Sequence, residues 1–306
     1  ETVLNAVAEV IPNIVGGSAD LTSSNLTFIQ CSHDYQANSR DGRYFRFGVR
    51  EHGMAAMCNG MAAYGGLIPF GATFLNFAGY ALGAMRLSAL CEFRVLYIMT
   101  HDSIGLGEDG PTHQPIGMLA TLRSIPNMYV FRPADANEVS GSYKAALSLA
   151  KSPSTFSLSR QNLPNLEHSS VDKVAQGGYV VYPCDGTPAI TFVATGSEVP
   201  IAIDAARALA DEDVAATVVS MPCMKLFDSQ SAEYKKSVFL EGVPVIAVEA
   251  ASPQGWQKYS HAQICMESFG KSGPGPELYE YFGFTPDNLA SKAKILIEKM
   301  GGRAQW

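Results

Sequence analysis

The chain has 306 residues, of which 47% are hydrophobic, 17% charged and 10% aromatic, a composition that supports buried cores and excludes a mostly disordered chain. Lys and Arg number 22 against 29 Asp and Glu, a formal net charge of -7 with no basic tract, which argues against a nucleic-acid or anionic-membrane surface. At roughly 100–200 residues per domain, the length predicts two domains.

In chain order, the first element is an amphipathic helix carrying Val3, Leu4, Val7, Val10 and Ile11, with acids and no basic leader, so it does not read as a secretory signal. Its abrupt start suggests a chain cut from something longer. A short strand at 15–17 follows, then an alternating stretch at 43–49 and a helix over 50–64 spaced by Met54, Met57 and Met61. Residues 53–85 hold no charged side chain, yet Asn59, Pro69, Asn76 and seven glycines interrupt them. No run reaches the about 20 apolar residues of a membrane span. The stretch predicts a buried helix, a turn and a second buried segment in a soluble chain.

Residues 94–100 (RVLYIMT) form a continuous apolar run, as in a strand buried on both faces. A second such run at 128–132, a helix over 137–150 capped by Asp135 or Asn137, and a strand at 155–159 extend the series. Residues 160–177 lose periodicity and read as an interdomain linker. Strands are expected again at 189–194, 216–220 and 243–248, with a helix ending near Leu209 and another over 288–300. The fold class is α/β: two consecutive three-layer domains, 1–170 and 171–306. The first is a mostly parallel, helix-covered sheet and the second a smaller mixed sheet.

Six scattered cysteines without a CxxC pair or a metal-spaced His/Cys cluster point to free thiols in a reducing, cytoplasmic setting and to no metal site. Glycine-rich loops at 16–20, 105–110 and 195–197 follow strands; each is a tight turn or a ligand cradle, and none is a dinucleotide fingerprint or P-loop. Residues 101–114 (HDSIGLGEDGPTHQ) gather two histidines, three acids and three glycines directly after the buried 94–100 run, which marks a functional loop. Glu51 opens a helix, where a carboxylate either favours the dipole or, in an apolar wall, exchanges a proton with a bound base. Phe74, Phe77 and Tyr80 recur at three-residue intervals, either as core or as a slot for a flat ring.

GGSADLTSSN (16–25), RFGVREHGM (46–54), GATFLNF (71–77), THDSIGLGEDGPTHQP (100–115), RPAD (132–135), LSRQNLP (158–164), ATGSEV (194–199) and KYSHAQICMESFG (258–270) closely resemble, in order, the C-terminal portion of transketolases. The resemblance covers essentially the whole chain. It implies a thiamine diphosphate enzyme of the pentose phosphate pathway that moves a two-carbon ketol unit between sugar phosphates, from xylulose 5-phosphate to ribose 5-phosphate or erythrose 4-phosphate. The first domain is then of the pyrimidine-binding type.

What the resemblance implies attaches to particular residues. Glu51 would bond a ring nitrogen of the aminopyrimidine, and Phe74, Phe77 and Tyr80 would line its slot, with Asp20 near the cofactor. A dry recess would keep the Glu51 carboxyl able to share a proton. His101, Arg160 and Ser24 would hold the substrate phosphate, Asp109 a hydroxyl, and His113 the ketol oxygens. Catalysis would rest on Glu51, His101 and His113, and 178–306 would be structural. Gly71-Ala72 stands where the pattern usually reads Gly-Gly.

Glu108-Asp109-Gly110 lacks the first glycine and trailing Asn of the GDG motif that holds Mg²⁺ or Ca²⁺ in this family. The diphosphate-binding domain is therefore expected to be a separate partner, the lone chain to be inactive, and the apolar 53–85 region to build a homodimer. A non-catalytic binding or dimerisation module of the same fold is the alternative. The SRQN and GEDGPTHQP segments favour transketolase over deoxyxylulose phosphate synthase and 2-oxoacid dehydrogenase β subunits.

Overall fold

A computed structural model describes residues 1–301. Six parallel strands form the first sheet: β1 (Ile14–Ser18), β2 (Tyr44–Arg46), β3 (Ile68–Phe74), β4 (Leu96–Thr100), β5 (Tyr129–Phe131) and β6 (Ser154–Leu158). Their spatial order is β2-β1-β3-β4-β6-β5. Six helices belong to this half: α1 (Thr2–Val10), α2 (Thr22–Asn25), α3 (Glu51–Tyr64), α4 (Ala78–Leu90), α5 (Met118–Arg123) and α6 (Ala136–Ser148). Tyr97 and Met99 of β4 pack into the core shared with α3 and α4, whereas Leu96 and Ile98 pack with Leu4 and Ala8 of α1 and Tyr143 of α6. Cover on both faces is why β4 is apolar without a break.

The second sheet contains β7 (Tyr179–Tyr182), β8 (Ile190–Ala194), β9 (Ala216–Ser220), β10 (Val245–Glu249) and β11 (Ala262–Cys265), ordered β11-β10-β8-β9-β7. It is mixed because β7 runs antiparallel to β9. Helices α7 (Glu198–Ala210), α8 (Met224–Asp228), α9 (Ala232–Val238), α10 (Gly275–Tyr281) and α11 (Pro286–Met300) belong to this half. Leu209 of α7 and Leu289 of α11 share the core on one face, and Trp256 is fully buried on the other. Among the described residues no helix is long and apolar enough to cross a membrane.

The structure adds detail to the sequence reading at four places. The segment expected to follow a turn after α3 is the central strand β3, which begins Ile68-Pro69. Proline is normally excluded from central strands; here the ladder to β4 starts only at Phe70, so Pro69 interrupts no bond on that side. Met54, Met57 and Met61 lie in helix α3, as their spacing predicts, and α3 buries Met54, Ala55 and Cys58 while Met57 is exposed. Strands β7 and β11 were not anticipated; both are four-residue strands at the edges of their sheet. The 160–177 stretch is pinned: Leu166 N–H donates to Asp135 at 2.9 Å, and Ser170 N–H to the Tyr179 hydroxyl at 3.2 Å. Asp135 is the cap of α6, accepting from Glu138 N–H. The Ala72 methyl is wholly buried, so the fold accommodates the residue in place of glycine.

Candidate active site

Strand register gathers the candidate residues along one sheet edge. Phe74 pairs with Thr100, Thr100 with Leu158, and Ser18 with both Ala72 and Arg46. Phe74, Thr100, Leu158, Ser18 and Arg46 are the last residues of β3, β4, β6, β1 and β2. The chain leaves them toward Phe77 and Tyr80, His101, Arg160, Asp20 and Ser24, and Glu51 respectively. The crevice beyond the carboxyl ends of parallel strands is the common ligand site of such sheets.

At its centre the His101 imidazole lies on the Phe74 ring, centroids 3.7 Å apart and planes 18° from parallel. Phe74 stacks on Phe77 at 5.6 Å, and His113 meets Phe77 edge-on at 5.1 Å. His101 has a φ of 59°, the left-handed region that costs a non-glycine residue about 1 kcal/mol or more. Burial, with the Arg160 guanidinium and His113, pushes its imidazole from the ordinary 6.5 down to about 4, against the opposing pull of Asp109 and Asp102. His101, His113, Asp109 and Arg160 thus share one electrostatic neighbourhood; Asp109 and Arg160 reach it from exposed positions.

Other expected residues sit more openly. Tyr80 is 70% exposed and Phe77 half-buried, so the three rings form a platform rather than a closed slot. Glu51 is half-buried at the start of α3, and its carboxylate makes no hydrogen bond or ion pair among the described residues. The dry enclosure expected for it is not formed by the described residues, since Glu51 is only half-buried and His52 and Tyr80 are exposed. The second turn of α4 adjoins the first of α3: a Cβ on Gly83 would lie 3.5 Å from His52. Asp20 is exposed with a φ of 63° and lines a pocket of about 400 Å³ with Thr22, Ser23 and Arg46. Ser24 is exposed on α2 beside it.

Beneath the 101–114 loop lies an ion network that joins the two sheets. Arg132, fully buried after β5, donates to Asp102 at 2.9 Å, to the Thr195 carbonyl at 3.0 Å and to Glu198. Glu249 receives Arg123 through two 2.7 Å bonds, and also Thr195 and the Trp256 indole. Burial alone would raise the Glu249 carboxyl; Arg123 and Arg132 instead hold it down at about 2. Glu138 is raised by burial despite bonds from Ser220, Ala134 N–H and Tyr179. RPAD and ATGSEV carry this network, a role not read from sequence because the partners lie far apart along the chain.

Segment 270–279 also clasps the loop. Gln114 donates to the Lys271 carbonyl at 2.9 Å, Ser272 to the Glu108 carbonyl at 2.5 Å, and the Tyr279 and Ser103 hydroxyls lie 3.2 Å apart. A cavity of about 700 Å³ lies elsewhere, between the sheets at Arg123, Lys225 and Lys258, and contains none of the candidate residues. Two of these cations are paired, Arg123 with Glu249 and Lys258 with Asp228, and Lys225 donates to the Ile125 carbonyl at 3.3 Å. Among the described residues no three His, Cys, Asp or Glu side chains group as a metal site.

Residues 1–165 match the family described as Transketolase, pyrimidine binding domain, and 177–285 match Transketolase-like TK C-terminal domain. A transketolase of Kluyveromyces lactis is 50% identical over 99% of this chain, and one of Nostoc is 51% identical over 97%. The chain spans only about 45% of either relative. The crystal structure of a Pichia stipitis transketolase complexed with sedoheptulose 7-phosphate superposes with a TM-score of 0.96 at 49% identity, over 98% of this chain and 45% of that one. A structure titled "Split gene transketolase, inactive beta4 tetramer" superposes with a TM-score of 0.78 at 26% identity, over 97% of this chain and 96% of that one. Sequence and fold agree: the chain belongs to the transketolase family.

Proposed function

We propose that this chain supplies the pyrimidine-binding and C-terminal domains, 1–170 and 171–306, of a transketolase that moves a two-carbon ketol unit from a ketose phosphate to an aldose phosphate. The observation that carries the reading is the meeting of His101, Phe74, Phe77 and His113, with Asp109 and Arg160 close enough to His101 to act on its charge. A second supports it: a half-open aromatic platform and an unpaired carboxylate on neighbouring helices suit a flat ring with a basic nitrogen.

In this reading Phe74, Phe77 and Tyr80 stack on the aminopyrimidine of thiamine diphosphate, Glu51 holds a ring nitrogen, and Asp20 lies close by. The cofactor, when bound, supplies the carbon that carries the ketol unit. The diphosphate and its Mg²⁺ or Ca²⁺ belong to a diphosphate-binding domain outside this chain. Arg160, His101 and Ser24 grip the phosphate of xylulose 5-phosphate, ribose 5-phosphate or erythrose 4-phosphate, and Arg160 offers planar, multi-point donation. Asp109 fixes a hydroxyl. His113, held edge-on to Phe77, orients the ketol oxygens and exchanges protons there.

The apolar exposed residues Met57, Tyr64, Leu87 and Leu90 on α3 and α4 support a homodimer through that face, which would also close the platform over Glu51. Six free cysteines, two of them fully buried, support a cytoplasmic location. The match to nearly all of the inactive split-gene chain supports a subunit or portion that needs a complementary diphosphate domain.

The test is to mix the chain with a separately produced diphosphate-binding domain, thiamine diphosphate and Mg²⁺, and assay transfer from xylulose 5-phosphate to ribose 5-phosphate. Activity with the native chain and none with Glu51→Gln is expected. Equal inactivity of both would leave the non-catalytic module standing.

A further inference from the structure

Four side chains lead from β1 to the crevice by hydrogen bonds whose direction follows from valence. Ser18 Oγ donates to the Ala72 carbonyl at 3.1 Å, so it accepts from Asn25 Nδ2 at 2.8 Å. Asn25 then presents Oδ1 to Thr100, whose hydroxyl donates to it at 2.6 Å. That separation is ordinary for O–H···O and short for N–H···O, so the Asn25 amide is not turned the other way. A threonine hydroxyl has one proton, and here it is committed to Asn25. The 2.9 Å contact between Thr100 Oγ1 and His101 Nδ1 is therefore an Nδ1–H donating to Thr100. Ser18, Asn25 and Thr100 are each buried, so water does not compete for these bonds.

A neutral imidazole with its proton on Nδ1 carries a lone pair on Nε2. Among the described residues Nε2 has no hydrogen-bond partner, and it is not among the sealed, unsatisfied atoms. We infer that Asn25 and Thr100 are positioning residues that fix the tautomer of His101, so that Nε2 is a proton acceptor and grips a doubly charged oxyanion only with uptake of one proton. The inference deepens the reading of His101 as a phosphate-holding group and rests on it.

The proton balance is simple. The Nε2 lone pair takes a proton from a solvent acid, whose conjugate base stays in solution, and the new N–H donates to an oxyanion oxygen. Without a ligand, burial together with Arg160 and His113 opposes that proton, while Asp109 and Asp102 favour it. An oxyanion seated between His101 and Arg160 cancels the repulsion and admits the proton.

The test is ¹H–¹⁵N correlation of the histidine ring in the described chain. A pyridine-type shift at Nε2 and a pyrrole-type shift at Nδ1 near neutral pH are expected, and the reverse overturns the inference. Asn25→Leu frees the Thr100 hydroxyl to donate to Nδ1 and is expected to move the proton to Nε2; Thr100→Ser keeps the native pattern. A merely structural role would leave the tautomer unchanged in Asn25→Leu and is thereby excluded or shown. Sulfate, which stays doubly charged near neutrality, is then titrated in as the probe. The His101 titration midpoint is expected to rise with sulfate, and a flat midpoint across the series overturns the proton uptake. These readouts need no turnover, so loss of ketol transfer in the mixing assay with the tautomer intact would fault the functional reading and not this one.

Discussion

His101 lies flat against Phe74 because their strands pair in register: Phe74 opposite Thr100 places the next residue of β4 over the last ring of β3. The stacked, buried imidazole is held neutral down to about pH 4. The folded-state value is depressed below the ordinary 6.5, so on acidification the unfolded chain takes up its proton first. This contribution is intact above pH 6.5 and is lost as pH falls toward about 4. Urea midpoints measured across that window are expected to fall more steeply in the native chain than in His101→Gln. Parallel curves would contradict it.

Arg132 is expected to be the most sensitive charged position. Its guanidinium is fully buried, and its removal strands Asp102 and Glu198 inside the protein. Arg132→Met should cost about 3–5 kcal/mol, the usual penalty for breaking a buried ion pair from one side. Lys144→Ala, which breaks an exposed pair with Asp172, should change stability by less than about 1 kcal/mol. Denaturant unfolding of both variants checks the contrast.

Gly17 is a steric requirement. A Cβ there would lie 1.7 Å from the Phe45 carbonyl oxygen on β2, with backbone rather than a flexible side chain in the way. Gly17→Ala is expected to destabilise by about 1–3 kcal/mol or more and to loosen the β1–β2 edge that leads into α3. Hydrogen exchange at residues 44–46 would report it.

Arg160 should behave in the opposite way. It is exposed and makes no hydrogen bond or ion pair among the described residues. Arg160→Gln is expected to leave thermal stability within about 0.5 kcal/mol. In the assembled enzyme it should raise KM for phosphorylated sugars several-fold, with a smaller change in kcat. A kcat loss without a KM change would remove Arg160 from phosphate binding.

Much of the site could be read from sequence because its residues follow strands that are apolar throughout. The 94–100 run announces β4, and with it the loop that begins at His101. Strand β3 was obscured because Pro69 and Gly71 are poor strand formers, and only the pairing with β1 and β4 shows why they are tolerated. The Arg132 network was hidden for another reason: its partners Asp102, Glu198 and Glu249 come together only through tertiary folding. The openness of Glu51 was equally hidden, since a helix that starts with a carboxylate looks the same in sequence whether or not another surface covers it.

The clasp between the two sheets limits what recombination can exchange. A Cβ at position 270 would fall 1.6 Å from Gln114 Oε1, and one at position 275 would meet the Gly105 carbonyl at 3.0 Å. A chimera that takes its second half from a distant cousin must inherit glycine at both positions, or the Gln114 side chain and the Gly105 backbone must give way. The halves are therefore heritable as a matched pair, and a swap between lineages is viable only where donor and recipient agree at these glycines.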